Sequence, residues 1–148
     1  EFSNTYAAYE HLPEEEKHDL AGLRALHSVA ASMRPVVETT GPEDLKRWSR
    51  MPVFEHPIVW AHGSGRKSLL IGSHADRVVG MPIPDGRALL TRLQQWSSQP
   101  QFCYRHAWQE GDLVVWDNCG TMHRVIPYDS RSGRSMHRTS IAGVESVS

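Results

Sequence analysis

The sequence predicts a mainly β fold with flanking helices, in the α+β class. Short apolar stretches separated by Gly-, Pro- and Asp-containing turns recur along the second half, which is typical of strands. Two other segments space their apolar residues as amphipathic helices do. Many short strands with a few helices indicate a β-sandwich or an open barrel with helices on its outside. The length of 148 residues suits one compact domain.

The helices are predicted from spacing and from their first turns. Thr5 to Glu10 is short and helix-prone. Pro13 suits a first-turn position, and the acidic residues after it suit the positive end of a helix dipole. Leucines follow at helical spacing, so we expect a helix from Pro13 to about His27. A second helix is predicted from Pro84 to about Ser98.

Residues 29–55 carry the weakest signals, apart from a helix-like beginning at Pro42 to Arg50. Prolines and a glycine punctuate this stretch. Long connections of this kind are often active-site lids or disordered segments. We therefore expect a flexible loop or lid over residues 29–55.

The strands are predicted from apolar runs and alternation, each bounded by turn residues. A hairpin is expected first, with Gly63 to Arg66 as its turn. The predicted strands are His56 to His62, Lys67 to Gly72, Gln101 to Trp108, Leu113 to Trp116, Met122 to Ile126 and Ser135 to Ala142.

Composition excludes several classes of function. The 16 basic and 17 acidic side chains give a formal net charge of -1, whereas a general nucleic-acid binder carries a basic excess. No apolar run approaches the roughly 20 residues that span a bilayer. Cys103 and Cys119 are too few for a disulfide framework, which favours the reducing cytoplasm. The chain starts at Glu1 without an initiator Met and enters patterned sequence at once, as an internal piece of a longer chain would.

The chemistry-bearing residues gather near the C-terminal end. An apolar strand ends in Asp117-Asn118, whose side chains set turns. His123, Arg134 and Arg138 follow, and strand-borne residues at a barrel mouth can point into one cavity. Positions 134 and 138 share a face of a strand. From the residues alone, an ordinary hydrogen-bonded histidine and surface arginines are the favoured interpretation.

The string from Trp116 to Gly143, WDNCGTMHRVIPYDSRSGRSMHRTSIAG, resembles the C-terminal signature of the taurine and 2,4-dichlorophenoxyacetate dioxygenase family. That signature is W-D-N, a histidine, an arginine after ten residues, then M-H-R and a closing strand. Further similarity runs through nearly all of the chain in family order and is loosest across residues 31–54. The resemblance implies a double-stranded β-helix (jelly-roll) fold that is incomplete at its N-terminal side. Residues 1–148 would then be a single fragment, the C-terminal part of the catalytic domain.

The resemblance also implies site roles. His123 corresponds to one histidine of a two-His, one-carboxylate facial triad on Fe(II), which leaves positions open for cosubstrate and O2. Arg134 corresponds to the residue that pairs with the distal carboxylate of 2-oxoglutarate, a job that suits a planar guanidinium. Arg138 would hold the anionic group of the substrate or support 2-oxoglutarate.

The other two iron ligands of the family form an H-x-D string. The family's H-x-D lies upstream of the region that matches Glu1, so this chain is expected to carry one ligand of three. An alternative within the chain is His74-Ala75-Asp76, which with His123 would complete a triad. His74 instead resembles a histidine of the aryloxyalkanoate branch that lies near the substrate, with a structural histidine as the ordinary alternative.

The resemblance thus predicts an Fe(II)- and 2-oxoglutarate-dependent dioxygenase that hydroxylates a small anionic substrate, aryloxyalkanoate-like or sulfonate-like, and releases succinate and CO2. The fragment alone is expected to be inactive. Two other classes stay open: a non-catalytic or truncated remnant, and a cupin-like metal-dependent hydrolase or isomerase, which normally uses H-x-H clusters. No nucleic-acid or membrane partner is expected. Relatives are commonly homo-oligomers, but the sequence leaves the oligomeric state open.

Overall fold

The structure is a computed structural model that describes residues 1–34 and 39–147, without the side chain of Ser130. Its elements are short and mixed, which confirms the predicted α+β class. The helices are α1 (Thr5–Glu10), α2 (Glu14–Leu20), α3 (Val29–Met33), α4 (Pro42–Trp48) and α5 (Ile83–Ser97). The strands are β1 (Phe2–Asn4), β2 (Arg24–His27), β3 (Phe54–Pro57), β4 (Val59–Ala61), β5 (Lys67–Leu69), β6 (Ala75–Val78), β7 (Cys103–Tyr104) and β8 (Thr121–His123).

The strands form three small antiparallel sheets rather than a closed barrel within the described residues. Their orders are β7-β1-β8, β3-β2-β6 and β4-β5. In the first sheet β1 is central, so the start of the chain pairs with its C-terminal part. In the second, β2 is central and bulges between Leu26 and His27 where it meets β6.

The apolar core lies where α1 and α5 pack on strands β5 and β6. Leu93 of α5, Leu69 of β5 and Ile58 are at most 2% exposed. Each fully buried side chain of this size stabilises the fold by roughly 1.5–3 kcal/mol. Helix α5 has the bounds that its apolar spacing predicted, within one residue at each end.

The prediction of one helix from Pro13 to His27 is wrong in its second half. Helix α2 ends at Leu20, and Gly22 follows with φ +80, a left-handed conformation that favours glycine. Residues Arg24–His27 then form β2, with alternate side chains buried. The leucine spacing fitted a helix, yet Leu20 is buried at the end of α2, whereas Leu26 lies on the half-buried face of the strand β2.

The predicted hairpin is confirmed in its centre. Strand β4 pairs with β5, and Gly65 in the turn adopts φ +83. The first residues of the predicted His56–His62 strand belong instead to β3, which pairs with β2 in another sheet. Strand β6 was not predicted.

The predicted C-terminal strands are mostly absent from the described residues. Strand β7 holds two residues of Gln101–Trp108, and β8 holds only the start of the expected Met122–Ile126 strand. Leu113 to Trp116 and Ser135 to Ala142 are irregular, with Leu113 87% and Ile141 93% exposed. A strand needs a hydrogen-bonding neighbour, and these segments have none among the described residues.

The segment 29–55 contains two helices, α3 and α4. Residues 35–38 of the expected loop lie outside the described residues. The flexibility expected of residues 29–55 therefore stays a prediction. Within the described part of the chain, no helix is both long and apolar enough to cross a membrane.

Candidate metal and cosubstrate site

Strand pairing positions the histidine of the signature. In the β1–β8 ladder Phe2 lies opposite His123, at an edge of the first sheet. The indole of Trp116 contacts both, with ring centroids 5.1 Å from Phe2 and 5.4 Å from His123. Aromatic rings, with that of Trp116 in direct contact, therefore lie on one side of the exposed His123 imidazole.

The W-D-N turn that leads to this strand is held by hydrogen bonds. Asp117 Oδ1 accepts from the backbone N–H of Cys119 at 2.8 Å, which sets the predicted turn. Asp117 Oδ2 accepts from the Tyr6 hydroxyl at 3.0 Å. Burial and this carboxylate raise the pKa of Tyr6 to about 12, so the phenol stays a donor. The backbone N–H of Thr5 also donates to the carbonyl of Gly120 at 2.9 Å, so α1 is tied to the turn twice.

Arg138 reaches the same histidine. Its Nη1 donates to His123 Nε2 at 3.1 Å, and its guanidinium lies 5.4 Å from the centre of the Trp116 ring. Burial and the Arg138 charge lower the pKa of His123, which favours the neutral imidazole. Because Nε2 accepts this hydrogen bond, it is unprotonated and has a lone pair, and a metal ion requires the same lone pair.

Arg134 lies on a different pair of aromatic rings. Its guanidinium is 4.6 Å from the centre of the Tyr128 ring and 6.0 Å from that of Trp108. The strand that was expected to place Arg134 and Arg138 on one face is not formed, because residues 133–142 are irregular. The structure brings Arg138 to His123 and leaves Arg134 on these rings.

His74 and Asp76 do not join His123. His74 Nδ1 lies 2.6 Å from His27 Nδ1, whereas Asp76 Oδ1 pairs with Arg34 and Arg87, each at 3.0 Å. Across residues 1–34 and 39–147, no three His, Cys, Asp or Glu side chains are grouped so that they could hold a metal ion. The alternative triad His74, Asp76 and His123 is therefore corrected: the first two side chains engage partners of their own.

The donor set decides how far this chain fits the expected ligands. A neutral His123 with an accepting Nε2 fits one position of an Fe(II) site. The guanidiniums of Arg134 and Arg138 fit the carboxylates of 2-oxoglutarate or of an anionic substrate. The described residues thus supply one ligand atom for a metal ion and two guanidinium groups that can donate hydrogen bonds to an anion.

A second polar cluster was missed by the sequence analysis. Around an open cleft of about 650 Å³, His62 Nε2 lies 2.7 Å from Ser68 Oγ, and His62 Nδ1 lies 3.2 Å from Glu145 Oε2. Tyr6 packs on His62 at a centroid distance of 4.8 Å. Ser68 is fully buried, so this cluster joins α1, the β4–β5 hairpin and the C-terminal segment rather than presenting a nucleophile. Its members are scattered along the chain, and no local pattern marks them.

Comparison with known proteins matches the chain to a family. The family model described as "Taurine catabolism dioxygenase TauD, TfdA family" matches residues 1–140. The chain is 42% identical, over 97% of its length and 48% of the relative, to an alpha-ketoglutarate-dependent 2,4-dichlorophenoxyacetate dioxygenase of Burkholderia sp. (strain RASC). It is 36% identical to an alkylsulfatase of Acinetobacter baylyi, over 96% of this chain and 47% of the relative.

Solved structures agree. The crystal structure of AAD-2 in complex with Mn(II) and N-oxalylglycine superposes with a TM-score of 0.88 at 36% identity, covering 99% of this chain and 57% of that one. A taurine dioxygenase from Burkholderia xenovorans gives a TM-score of 0.64 at 29% identity, covering 81% of this chain and 37% of that one. The chain spans about half the length of the curated relatives it matches. By its sequence and its fold, this chain belongs to the TauD/TfdA family of dioxygenases.

Proposed function

We propose that the full-length protein is an Fe(II)- and 2-oxoglutarate-dependent dioxygenase that hydroxylates a small anionic organic substrate. The observation that carries the proposal is the family match over residues 1–140, which includes His123, Arg134 and Arg138. The pairing of Arg138 with the neutral His123 supports the proposal, because a possible metal ligand and a group that can bind an anion then lie side by side.

In this proposal His123 Nε2 is one iron ligand. The remaining histidine and the aspartate are proposed to come from the part of the full-length protein N-terminal to Glu1. When bound, Fe(II) with 2-oxoglutarate and O2 supplies the oxidation that hydroxylates the substrate and releases succinate and CO2. The task of this chain is to orient the ligands and to keep the reacting groups apart from water.

Arg134 is proposed to bind the distal carboxylate of 2-oxoglutarate. Its guanidinium lies 4.6 Å from the centre of the Tyr128 ring, and its planar fork of N–H groups suits two parallel hydrogen bonds to a carboxylate. Arg138 and His74 are proposed to contact the anionic substrate, with Arg138 also able to support 2-oxoglutarate.

The substrate class follows from the charge of these donors and from the relatives. Guanidinium and imidazole N–H groups favour an oxyanion, and the relatives named above act, by their names, on 2,4-dichlorophenoxyacetate and on alkyl sulfates. An aryloxyalkanoate-like or sulfonate-like compound is therefore proposed.

The test is succinate formation by the purified full-length protein with Fe(II) and 2-oxoglutarate, over a panel of aryloxyalkanoates, sulfonates and sulfate esters. We expect at least one compound to stimulate succinate release with matching hydroxylation. A panel without any stimulation, under conditions where a known relative is active, would refute the proposal.

Arg134→Gln tests the cosubstrate role. The loss of a charged bidentate pair costs roughly 2–3 kcal/mol, so we expect the KM for 2-oxoglutarate to rise about 30- to 150-fold. The matched control is Arg131→Gln, since the Arg131 side chain is 88% exposed and, among the residues that the structure describes, pairs with its near neighbour Asp129 alone. Equal KM values for the two variants would remove Arg134 from the site.

A further inference from the structure

Three histidines meet in the second sheet. His27 ends β2, His56 lies on β3, and His74 directly precedes β6. The centre of the His27 ring is 5.4 Å from that of His56 and 4.8 Å from that of His74. His27 is buried at 7% exposure, whereas His74 is exposed.

His27 and His74 share one hydrogen bond. Their Nδ1 atoms lie 2.6 Å apart, so one ring must donate and the other accept. Burial first, and then the neighbouring histidines, lower the pKa of His27 to about 4 and lower the pKa of His74 as well. At neutral pH both rings are therefore neutral, and each carries one N–H.

The burial of His27 selects between the two arrangements. His27 Nε2 is buried without a hydrogen-bond partner among the described residues. If His74 were the donor, that atom would be a buried N–H without a partner, whereas with His27 as the donor it is a buried acceptor without one; in protein backbones, orphaned N–H groups are the rarer of the two kinds. The favoured arrangement has His27 Nδ1–H donating to His74 Nδ1, which places the proton of His74 on Nε2.

His74 is exposed, and position 72 lies next to its second nitrogen. A Cβ on Gly72 would lie 3.1 Å from His74 Nε2, so a side chain at position 72 would crowd that atom. Gly72 has φ +149, within the region that favours glycine. The exposed edge of His74 thus presents a fixed N–H donor.

We propose that His27 is a positioning residue that holds His74 in the Nε2–H form, so that His74 donates a neutral hydrogen bond to an oxygen of the anionic substrate. The proposal rests on the proposed function for the identity of the ligand. The His27–His74 geometry itself is independent of it. A pure donor without a charge selects for a carboxylate, sulfonate or sulfate oxygen and against a ligand that offers only N–H donors, such as an ammonium group.

The tautomer is tested directly in the full-length protein by ¹⁵N NMR of the histidine rings, with diamagnetic Zn(II) in place of Fe(II). His74→Gln identifies the His74 signals. We expect the Nε2–H form of His74 in the wild type and a mixture of forms in His27→Leu. An Nδ1–H form in the wild type, or an unchanged signal in His27→Leu, overturns the proposal.

Kinetics test the consequence. His27→Leu should raise the KM for the anionic substrate about tenfold, as expected for a weakened hydrogen bond to a charged group, with kcat within about twofold and an unchanged KM for 2-oxoglutarate. His27→Asn places an amide where Nδ1 was and should restore the KM to within about threefold of the wild type. A purely structural role would lower kcat together with kcat/KM for both the substrate and 2-oxoglutarate, and His27→Asn would not restore them.

Two further variants extend the test, and Gly72→Ala keeps it decisive if His27→Leu folds poorly. His74→Gln retains a donor near the Nε2 position without needing a partner, so adding His27→Leu should change its substrate KM no further. Gly72→Ala should raise the substrate KM while leaving the tautomer unchanged. Additive effects in the double variant, or no effect of Gly72→Ala, contradict the proposal.

If the wild type forms no succinate with any compound, the proposed function fails, while the NMR result still decides the role of His27.

Discussion

Replacing Gly120 by alanine should destabilise the turn that leads to His123. A Cβ on Gly120 would lie 1.7 Å from Cε2 and 2.3 Å from Cδ2 of the Tyr6 ring, far inside van der Waals contact. The ring cannot move away freely, because His62 packs on it at 4.8 Å and the Arg66 guanidinium lies 4.5 Å from its centre. Something in this cluster must therefore shift.

The magnitude follows from two costs. Overpacking by one methyl group typically costs 1–3 kcal/mol, and a displaced Tyr6 hydroxyl loses its hydrogen bond to Asp117, worth about 1 kcal/mol. We expect Gly120→Ala to lower the free energy of unfolding by about 3 kcal/mol. For a full-length protein about twice as long as this chain, as in its relatives, the thermal midpoint should fall by roughly 3–6 °C.

The assay is thermal and denaturant unfolding of the full-length protein, followed by circular dichroism. Gly143→Ala is the matched control, since nothing lies within 4 Å of a Cβ at that exposed position. The second arm is a double-variant cycle with Tyr6→Ala, in which the added methyl group has room and should cost less than 1 kcal/mol. A wild-type midpoint for Gly120→Ala, or the same cost with and without the Tyr6 ring, would refute the reasoning.

Three further outcomes are expected. Leu93→Ala should cost about 2–5 kcal/mol in urea unfolding because Leu93 is fully buried, whereas Leu113→Ala, at an 87% exposed position, should stay within about 0.5 kcal/mol; similar values would contradict the core described above. Burial acts to raise the pKa of Asp76, but hydrogen bonds from Arg87 and Arg34 outweigh it and lower the pKa. The stability that these ion pairs add is therefore present above pH ~4 and lost as the pH falls through the folded pKa, so the stability difference between wild type and Asp76→Asn should shrink below pH ~4. Because the pKa of His27 is lowered to about 4, the folded protein should lose stability as the pH falls from ~6.5 towards 4, where only the unfolded chain binds the proton. In His27→Asn this loss should be smaller, as pH-dependent unfolding would measure, and equal slopes would contradict a neutral buried His27.

The sequence determined the elements whose signals are local. Helix α5 was predicted because its apolar spacing and its flanking residues lie within one stretch of chain, and the β4–β5 hairpin because its turn contains glycines. The family signature was also contained in one continuous string, from Trp116 to Gly143. Belonging to the family could therefore be predicted before any geometry was known.

The tertiary structure decided what depends on distant partners. Whether Leu113–Trp116 becomes a strand depends on a neighbour to pair with, and its own apolar run cannot supply one. The string His74-Ala75-Asp76 fitted a metal motif, yet His74 pairs with His27, 47 residues away, and Asp76 pairs with Arg34 and Arg87, 42 and 11 residues away. Tyr6 reaches Asp117 because β1 pairs with β8. Helical periodicity is a property of neighbouring residues, whereas strand pairing and side-chain hydrogen bonds join residues that only the folded chain brings together.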